Sequence, residues 1–403
     1  MNRRIFLRNS ALAMVGVGSA PMWLQRALYA TDAPSPRKKI LVAIFQRGAA
    51  DGLNVVVPHG EKAYYDLRPS IAIPRPGSGE NSAIDLDGFF GLHPSLGPLK
   101  PLWDHQNLAI VDAVGSPDPT RSHFDAQDYM ESGTPGRKAT QGGWMNRALP
   151  KPEGKVSPVR AVSLGPTLAR TMAGPNPAVA VQSIASFQVR NADAARQFET
   201  MYMETKDPQL RAAGRETFEA VSMLQAIQRK PYTPAAGAEY PRSRFGDSLR
   251  QVAQLIKADV GVEMAFADIG GWDHHVNESN QLTNILRDYA QALAAFWTDM
   301  GDRMTDIALV TMSEFGRTAH ENGNRGTDHG HANCMFVMGG PIKGGKVYGQ
   351  WPGLAREQLY ESRDLALTTD FRDVLGDLVS NHLANPTLDQ VFPGYHPKKL
   401  GLV

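Results

Sequence analysis

Cysteine is almost missing from this chain of 403 residues, where Cys334 stands alone. One thiol cannot close an intramolecular disulfide, and it cannot supply the thiolates of an iron–sulfur or structural zinc site. Net charge is missing as well. The 42 Lys and Arg oppose 41 Asp and Glu, a formal +1, so no general field draws the protein to nucleic acid or to an anionic surface. A charged partner has to be met locally. Internal repeats and low-complexity segments are also lacking. What the chain does have is 28 prolines and 38 glycines, the composition of many ordered loops between short elements rather than of a helical bundle. Its length allows a large core in one big α/β domain or two smaller ones.

The first 30 residues read as an export signal. Asn2-Arg3-Arg4-Ile5-Phe6-Leu7-Arg8 sets paired arginines ahead of ALAMVGVGSAPMWL, a run too short and too rich in glycine to span a bilayer comfortably. This is the pattern of a twin-arginine signal with cleavage near Ala30. The expectations are passage through the twin-arginine translocase, a periplasmic or extracellular destination and no stable membrane span after cleavage. An ordinary secretory signal or a retained anchor is the alternative. Residues 31–39 form a Pro/Lys/Arg linker, and 40–403 the mature domain.

Within that domain ILVAIFQRG, LAIVDAVG, AVSLG, AVAVQ, VEMAFADIGG, DIALVTMSEFG and CMFVMGG are short apolar runs ending near glycine or polar residues, as strands buried on both faces would be. Helical stretches alternate with them, among them SHFDAQDYMES, SRFGDSLRQVAQLIKAD, ESNQLTNILRDYAQALAAFWTDMG and FRDVLGDLVSNHLA. The alternation predicts a three-layer α/β/α sandwich around a mostly parallel sheet. Residues 185–245 are polar and helical, then loose; they fit either a cap beside the site or helical padding.

Ligands gather where parallel strands end, and the polar residues at those exits are chemically pointed. Asp51 follows the first run, Arg121, Ser122 and His123 follow LAIVDAVG, and Asp273 and His275 follow VEMAFADI. Glu314 and Arg317 follow DIALVTM, with Asp328, His329 and His331 shortly after in GTDHGHAN. Aspartate and histidine without cysteine suit zinc, manganese or magnesium. Asp51, Asp273, His275, Asp328, His329 and His331 would serve one or two divalent ions that keep an open position. Ser122 opens a helix with Asp125 in its first turn. That suits an N-cap, and equally a nucleophile stabilised by helix amides and a metal. Arg121 and His123 could hold an anionic substrate or protonate a leaving group. Glu314 could ligate the ion or orient an imidazole, and Arg317 could clamp an oxyanion or pair with Glu314. His274 reads as a surface neighbour of the real ligand, His93 as a loop-shaping residue, and Trp144 and Trp272 as packing under loops.

The signal MNRRIFLR together with FQRGAADGLNVVVPHGEKAYYDLRPSIAIP, FGLHPSLGPLKPLW, RSHFDAQDYMESG, GGWDHH, MSEFGRTAHENGNRGTDHGHAN, GGKVYGQWPGL and LTTDFRDVL resembles the domain of unknown function 1501 family of exported bacterial proteins, similar in turn to the alkaline phosphatase and sulfatase superfamily. The resemblance implies an alkaline-phosphatase-like sandwich with a one- or two-metal site for phosphate or sulfate esters. It implies that Asp51 binds a metal, that Asp328 and His329 bind the ion touching the nucleophile, and that Ser122 is that nucleophile. Asp273 and His275 stand where the superfamily spaces an Asp and a His by three residues, but only one separates them here. His331 is the candidate for the last histidine ligand, ahead of His382 and His396. The formylglycine signature is absent around Ser122, which disfavours a sulfatase proper.

The resulting expectation is an exported metal-dependent hydrolase acting on a small or polymer-borne anionic ester. The competing one is a non-catalytic, metal-stabilised envelope protein for binding or assembly.

Overall fold

The strand Ile40–Arg47 (β1) shows how the layers arise. Successive side chains of a strand point to opposite faces, and here both sets are buried. Ile40, Val42 and Ile44 enter one apolar core, Leu41, Ala43 and Phe45 the other. A strand covered on both sides has to be apolar throughout, as this one is. The computed structural model describes residues 38–151, 156–185 and 192–403, and Lys38–Val403 forms one compact unit. The signal and nearly all of the linker lie outside the described residues.

The other strands are Val56–Val57 (β2), Ile84–Asp85 (β3), Gly91–Leu92 (β4), Leu108–Gly115 (β5), Ala161–Leu164 (β6), Val179–Val181 (β7), Met264–Gly270 (β8), Ile307–Met312 (β9), Asn333–Gly339 (β10), Val347–Tyr348 (β11) and Thr369–Asp370 (β12). The central sheet runs β11-β5-β10-β9-β1-β8-β6-β7, with β12 also beside β5, while β2, β4 and β3 make a small separate sheet. Its pairings are parallel except those of β10, which is antiparallel to β5 and β9. The mostly parallel sheet is therefore present. Because β10 runs backward, its first residue, Asn333, lies opposite Val114 near the end of β5. The loop between β9 and β10 thus leaves and re-enters the sheet at one rim, the rim where β1 and β8 also end.

Helices cover both faces. We label His123–Ser132 as α1, Ala192–Glu204 as α2, Pro208–Gln228 as α3, Arg244–Lys257 as α4, Glu278–Met300 as α5 and Phe371–Asp377 as α6. Leu282, Leu286, Tyr289, Leu293 and Phe296 make a buried stripe along α5, the three-and-four spacing of one helix face. It shares a core with Phe245, Leu249, Val252 and Ile256 of α4, whereas Phe371, Val374 and Leu375 of α6 lie in the opposite core. This is a three-layer α/β/α sandwich. Ala220, Leu224 and Ile227 of α3, from the segment expected as cap or padding, join the core of α4 and α5. No helix among the described residues is long and apolar enough to cross a membrane.

Inside β5, Ala113 has a φ of 49° and the register with β10 shifts between Asn333 and Met335, a bulge. Beside it Asp112 is buried with Oδ2 lacking a partner among the described residues, and burial pushes its carboxyl up to about 7. In the unfolded chain the same group ionises at ~3.9. Between those values only the unfolded state gives up its proton. The contribution of this group to stability is therefore greatest below about pH 4, declines as pH rises toward 7 and stays low above. Asp112→Asn should flatten that decline: between about pH 5 and about pH 8 its urea midpoint falls less than the wild type's, each tenfold difference in acidity between the two states being worth about 1.4 kcal/mol.

Candidate metal centre

Every segment that reaches the rim turns sharply as it leaves its strand. After β1, Gly48 and Ala49 take φ values of 118° and 63°. A Cβ on Gly48 would stand 2.7 Å from the backbone nitrogen of Asp273, so glycine is what lets the exits of β1 and β8 approach. After β9 the chain doubles back, and a Cβ on Gly330 would come within 2.3 Å of the Arg317 carbonyl carbon. The glycines around Asp328 and His329 thus allow backbone to pack on backbone.

Helix α1 brings in the next group. His123, Gln127 and Glu131 recur every four residues, hence on one face. His123 Nδ1 lies 2.7 Å from Glu314 Oε1, and the same oxygen accepts from Gln127 Nε2 at 2.8 Å and from the Gly48 N–H at 2.9 Å. Glu131 accepts from Arg47 at 3.0 Å. Burial alone would raise the Glu314 carboxyl, but its bonds from His123 and Gln127 hold it below the usual range.

Three imidazoles and one carboxylate then converge. His123 Nε2 and His275 Nε2 each lie 3.1 Å from His329 Nε2. Asp273 Oδ1 is 2.9 Å from His275 Nε2 and 3.2 Å from His329 Nε2, with Oδ2 3.7 Å from His123 Nε2. Ligand atoms of His123, Asp273 and His329 all lie within 4.8 Å of one another, and His275 adjoins that group through Asp273 and His329.

The opposite ring edges place one proton on each ring. Nδ1 of His123 faces the Glu314 carboxylate, Nδ1 of His275 faces Asp328 Oδ1 at 3.0 Å, and Nδ1 of His329 faces the Arg121 carbonyl at 3.0 Å. Carboxylates and carbonyls only accept, so each Nδ1 carries a proton, and in the neutral ring Nε2 then offers a lone pair. Where two facing Nε2 atoms are both unprotonated, lone pairs 3.1 Å apart repel unless a cation lies among them. Two nitrogens each about 2.0–2.1 Å from a tetrahedral zinc ion would be roughly 3.3 Å apart, close to the spacing seen. The chemistry of the donors suits a zinc-class ion: His123, His329 and Asp273 would hold it, with His275 beside them as a fourth nitrogen. His275 and Asp273 keep 40% and 46% side-chain exposure, which leaves the centre open on one side.

Arg317 anchors the carboxylate. Fully buried, it donates to the carbonyls of Gly48, Ala49, Trp272 and Thr327 and, at 2.6 Å, to Asp273 Oδ1. Burial would raise the Asp273 carboxyl, but Arg317 holds it below its ordinary value. The anticipated pairing of Arg317 with Glu314 gives way to this one, because Glu314 is engaged by α1.

Other expected site residues take different places. Asp51, read as a ligand, is buried and bound through both oxygens to Arg68, whose guanidinium also donates to the Thr318 and Ala319 carbonyls. Asp328 stands behind His275 and also accepts from Asn322, so it orients an imidazole instead of joining the four donors. His331 stacks on Tyr360 with ring centroids 4.4 Å apart. His382 bonds the Ile40 carbonyl at the start of β1, the far end of the sheet, and His396 is exposed. His274 is buried, not a surface neighbour, and burial pushes it down to about 4. Arg121 is committed to Asp364 and Glu361. Ser122 occupies the N-cap position of α1, but its side chain makes no capping bond. Of the donors expected for a second ion, Asp273 and His275 meet in this same centre, 2.9 Å apart, whereas His331 stands apart on Tyr360.

Sequence reasoning gave His123 to the substrate and passed over Gln127; their four-residue spacing ahead of Glu131 was the available signal. Losing an orienting partner of a metal-bound histidine typically costs about 10–100-fold in metal affinity. Glu314→Gln should weaken zinc by that amount in a competition titration against a chromophoric chelator.

Residues 38–382 match a family described as "Protein of unknown function (DUF1501)". No curated protein matches the sequence. Among solved structures, the C-terminal periplasmic domain of EcEptC from Escherichia coli, in complex with Zn, aligns at 10% identity and a TM-score of 0.35 over 77% of this chain and 74% of that one. The PH0037 protein from Pyrococcus horikoshii aligns at 12% and 0.32 over 76% and 86%. The PsFucS1 sulfatase from Pseudoalteromonas sp. aligns at 14% and 0.34 over 78% and 65%.

Proposed function

This chain belongs to the DUF1501 family, and from that premise and the four donors at the sheet rim we propose that it is an exported, metal-dependent hydrolase of phosphate or sulfate esters with Ser122 as nucleophile. The observation that carries the reading is the convergence of three imidazole Nε2 atoms and the Asp273 carboxylate beside the opening of α1. A divalent ion there would polarise the ester and stabilise negative charge on its oxygens.

The protein's own groups supply positioning. Ser122 lies between Arg121, whose carbonyl fixes His329, and His123, itself a donor. With no capping bond its hydroxyl is available, and the free N–H groups of the first turn of α1 favour an anionic oxygen arriving there. Glu314, itself held by Gln127, holds His123, Asp328 holds His275 and Arg317 holds Asp273, so the donors are set before substrate arrives. The donor geometry supports one ion. Export by the twin-arginine route belongs to the same reading and rests on Arg3 and Arg4.

The test is a screen of aryl phosphate and sulfate esters with added zinc, manganese or magnesium. Ser122→Ala should lose at least about a thousandfold in turnover, as expected for removing a nucleophile, while keeping its metal content. Full activity in that variant would remove the covalent step. Bound metal that stabilises the fold without turnover of any ester would favour the envelope-binding alternative.

A further inference from the structure

A cleft of about 240 Å³ opens beside the metal centre, lined by Thr318, Asn322, Asp328, Leu359, Ser362 and Arg363 among others. It shares Asp328 with the centre, since that residue also holds His275. One wall comes from residues 359–363, of which Leu359, Ser362 and Arg363 line it; within that stretch Glu361 and Ser362 take consecutive φ values of 53° and 54°. Two successive non-glycine residues in the left-handed region are strained, and the surroundings hold them there. Asp364 is fully buried, takes Arg121 at 2.6 and 3.2 Å and pairs through its backbone with Thr318 and Tyr360. His331 stacks on Tyr360, and Glu361 takes Arg121 at 2.7 Å.

The charges in the cleft are then accounted for one by one. Glu321 is committed to Ser70 and the Ile71 N–H, and Asp328 to His275 and Asn322. Arg121, the arginine that sequence reading gave to the substrate, is held by two carboxylates, Asp364 and Glu361. Arg363 differs. Among the described residues its ionic contact is to Asp364 at 3.3 Å, a carboxylate already held by Arg121, and its side chain is 39% exposed. Its backbone is pinned, the carbonyl accepting from the Ala319 N–H. A guanidinium with a fixed base and spare donors suits a carboxylate, phosphate or sulfate oxygen pair.

We propose that this cleft is a subsite in which Arg363 holds a second anionic group of the substrate, so that the centre acts on esters within multiply charged molecules. The inference rests on the hydrolase reading above. Binding is tested on the full zinc-loaded chain by calorimetry, with ω-carboxyalkylphosphonates of two to six methylenes against the matching alkylphosphonates. At least one chain length should bind tenfold or more tightly than the alkylphosphonate of matching length. Arg363→Ala and Arg363→Gln should erase that advantage while leaving alkylphosphonate affinity and zinc content within twofold, and Arg363→Lys should restore part of it. No advantage at any length, or one that survives both neutral variants, overturns the proposal. The hydrolase reading is judged separately, by whether alkylphosphonate binding requires zinc.

Discussion

Zinc titrated into His329→Ala should fall short of one ion per chain at concentrations that saturate the wild type. His329 is the hub of the centre: its Nε2 lies 3.1 Å from those of both His123 and His275 and 3.2 Å from Asp273. Removing it deletes one donor and leaves the other two imidazoles joined only through Asp273. The loss should exceed the ~10–100-fold that an orienting partner typically contributes, so affinity should fall at least about a hundredfold. The fold should survive, because the ring is partly exposed and belongs to neither main core. His331→Ala is the matched control. Two positions along but stacked on Tyr360, His331 should leave zinc affinity unchanged when replaced. Wild-type affinity in His329→Ala would dismantle the centre as described.

Arg68→Leu should show the other large effect, in stability. Arg68 is fully buried and neutralises Asp51, which shares a hydrogen bond with Glu278. Glu278 in turn accepts from Asn54 at 3.1 Å and from Thr327 at 2.7 Å. Burial and the neighbouring Asp51 charge push the Glu278 carboxyl well up, whereas Arg68 overcomes burial to hold Asp51 down. One cation thus faces one carboxylate and one carboxylic acid. Taking away the cation leaves a buried negative charge without a partner, a change that costs about 3–5 kcal/mol. The urea midpoint should fall accordingly, and Asp51→Asn in the same chain should recover part of the loss. Asp51→Asn alone should still take up one zinc per chain. Loss of zinc from that variant would return Asp51 to the ligand role implied by the family resemblance.

The contrast between these residues shows what a sequence holds. The apolar runs of β1 and β9, the stripe of α5 and the concentration of Asp and His at strand exits were all readable, because each depends on spacing within one segment. The grouping of Asp273, His275 and His329 was readable too, since parallel strands bring their exits to one rim. Gln127 was passed over because an uncharged residue inside a helix carries no mark of the carboxylate it will meet. Asp51 and Asp328 looked like ligands because nothing local distinguishes an aspartate beside a cation from one bound to an arginine or an imidazole.

From the sequence alone came the layered α/β architecture, the rim where the chemistry gathers and the residue types available there, all consequences of side-chain periodicity and chain direction. Only the tertiary structure decided that His123 joins the donors, that Arg68 removes Asp51 from them and that two carboxylates hold Arg121 while Arg363 stays partly exposed. The role of a charged group is set by the opposite charges that packing brings to it, and those come from positions as far apart as Arg121 and Asp364.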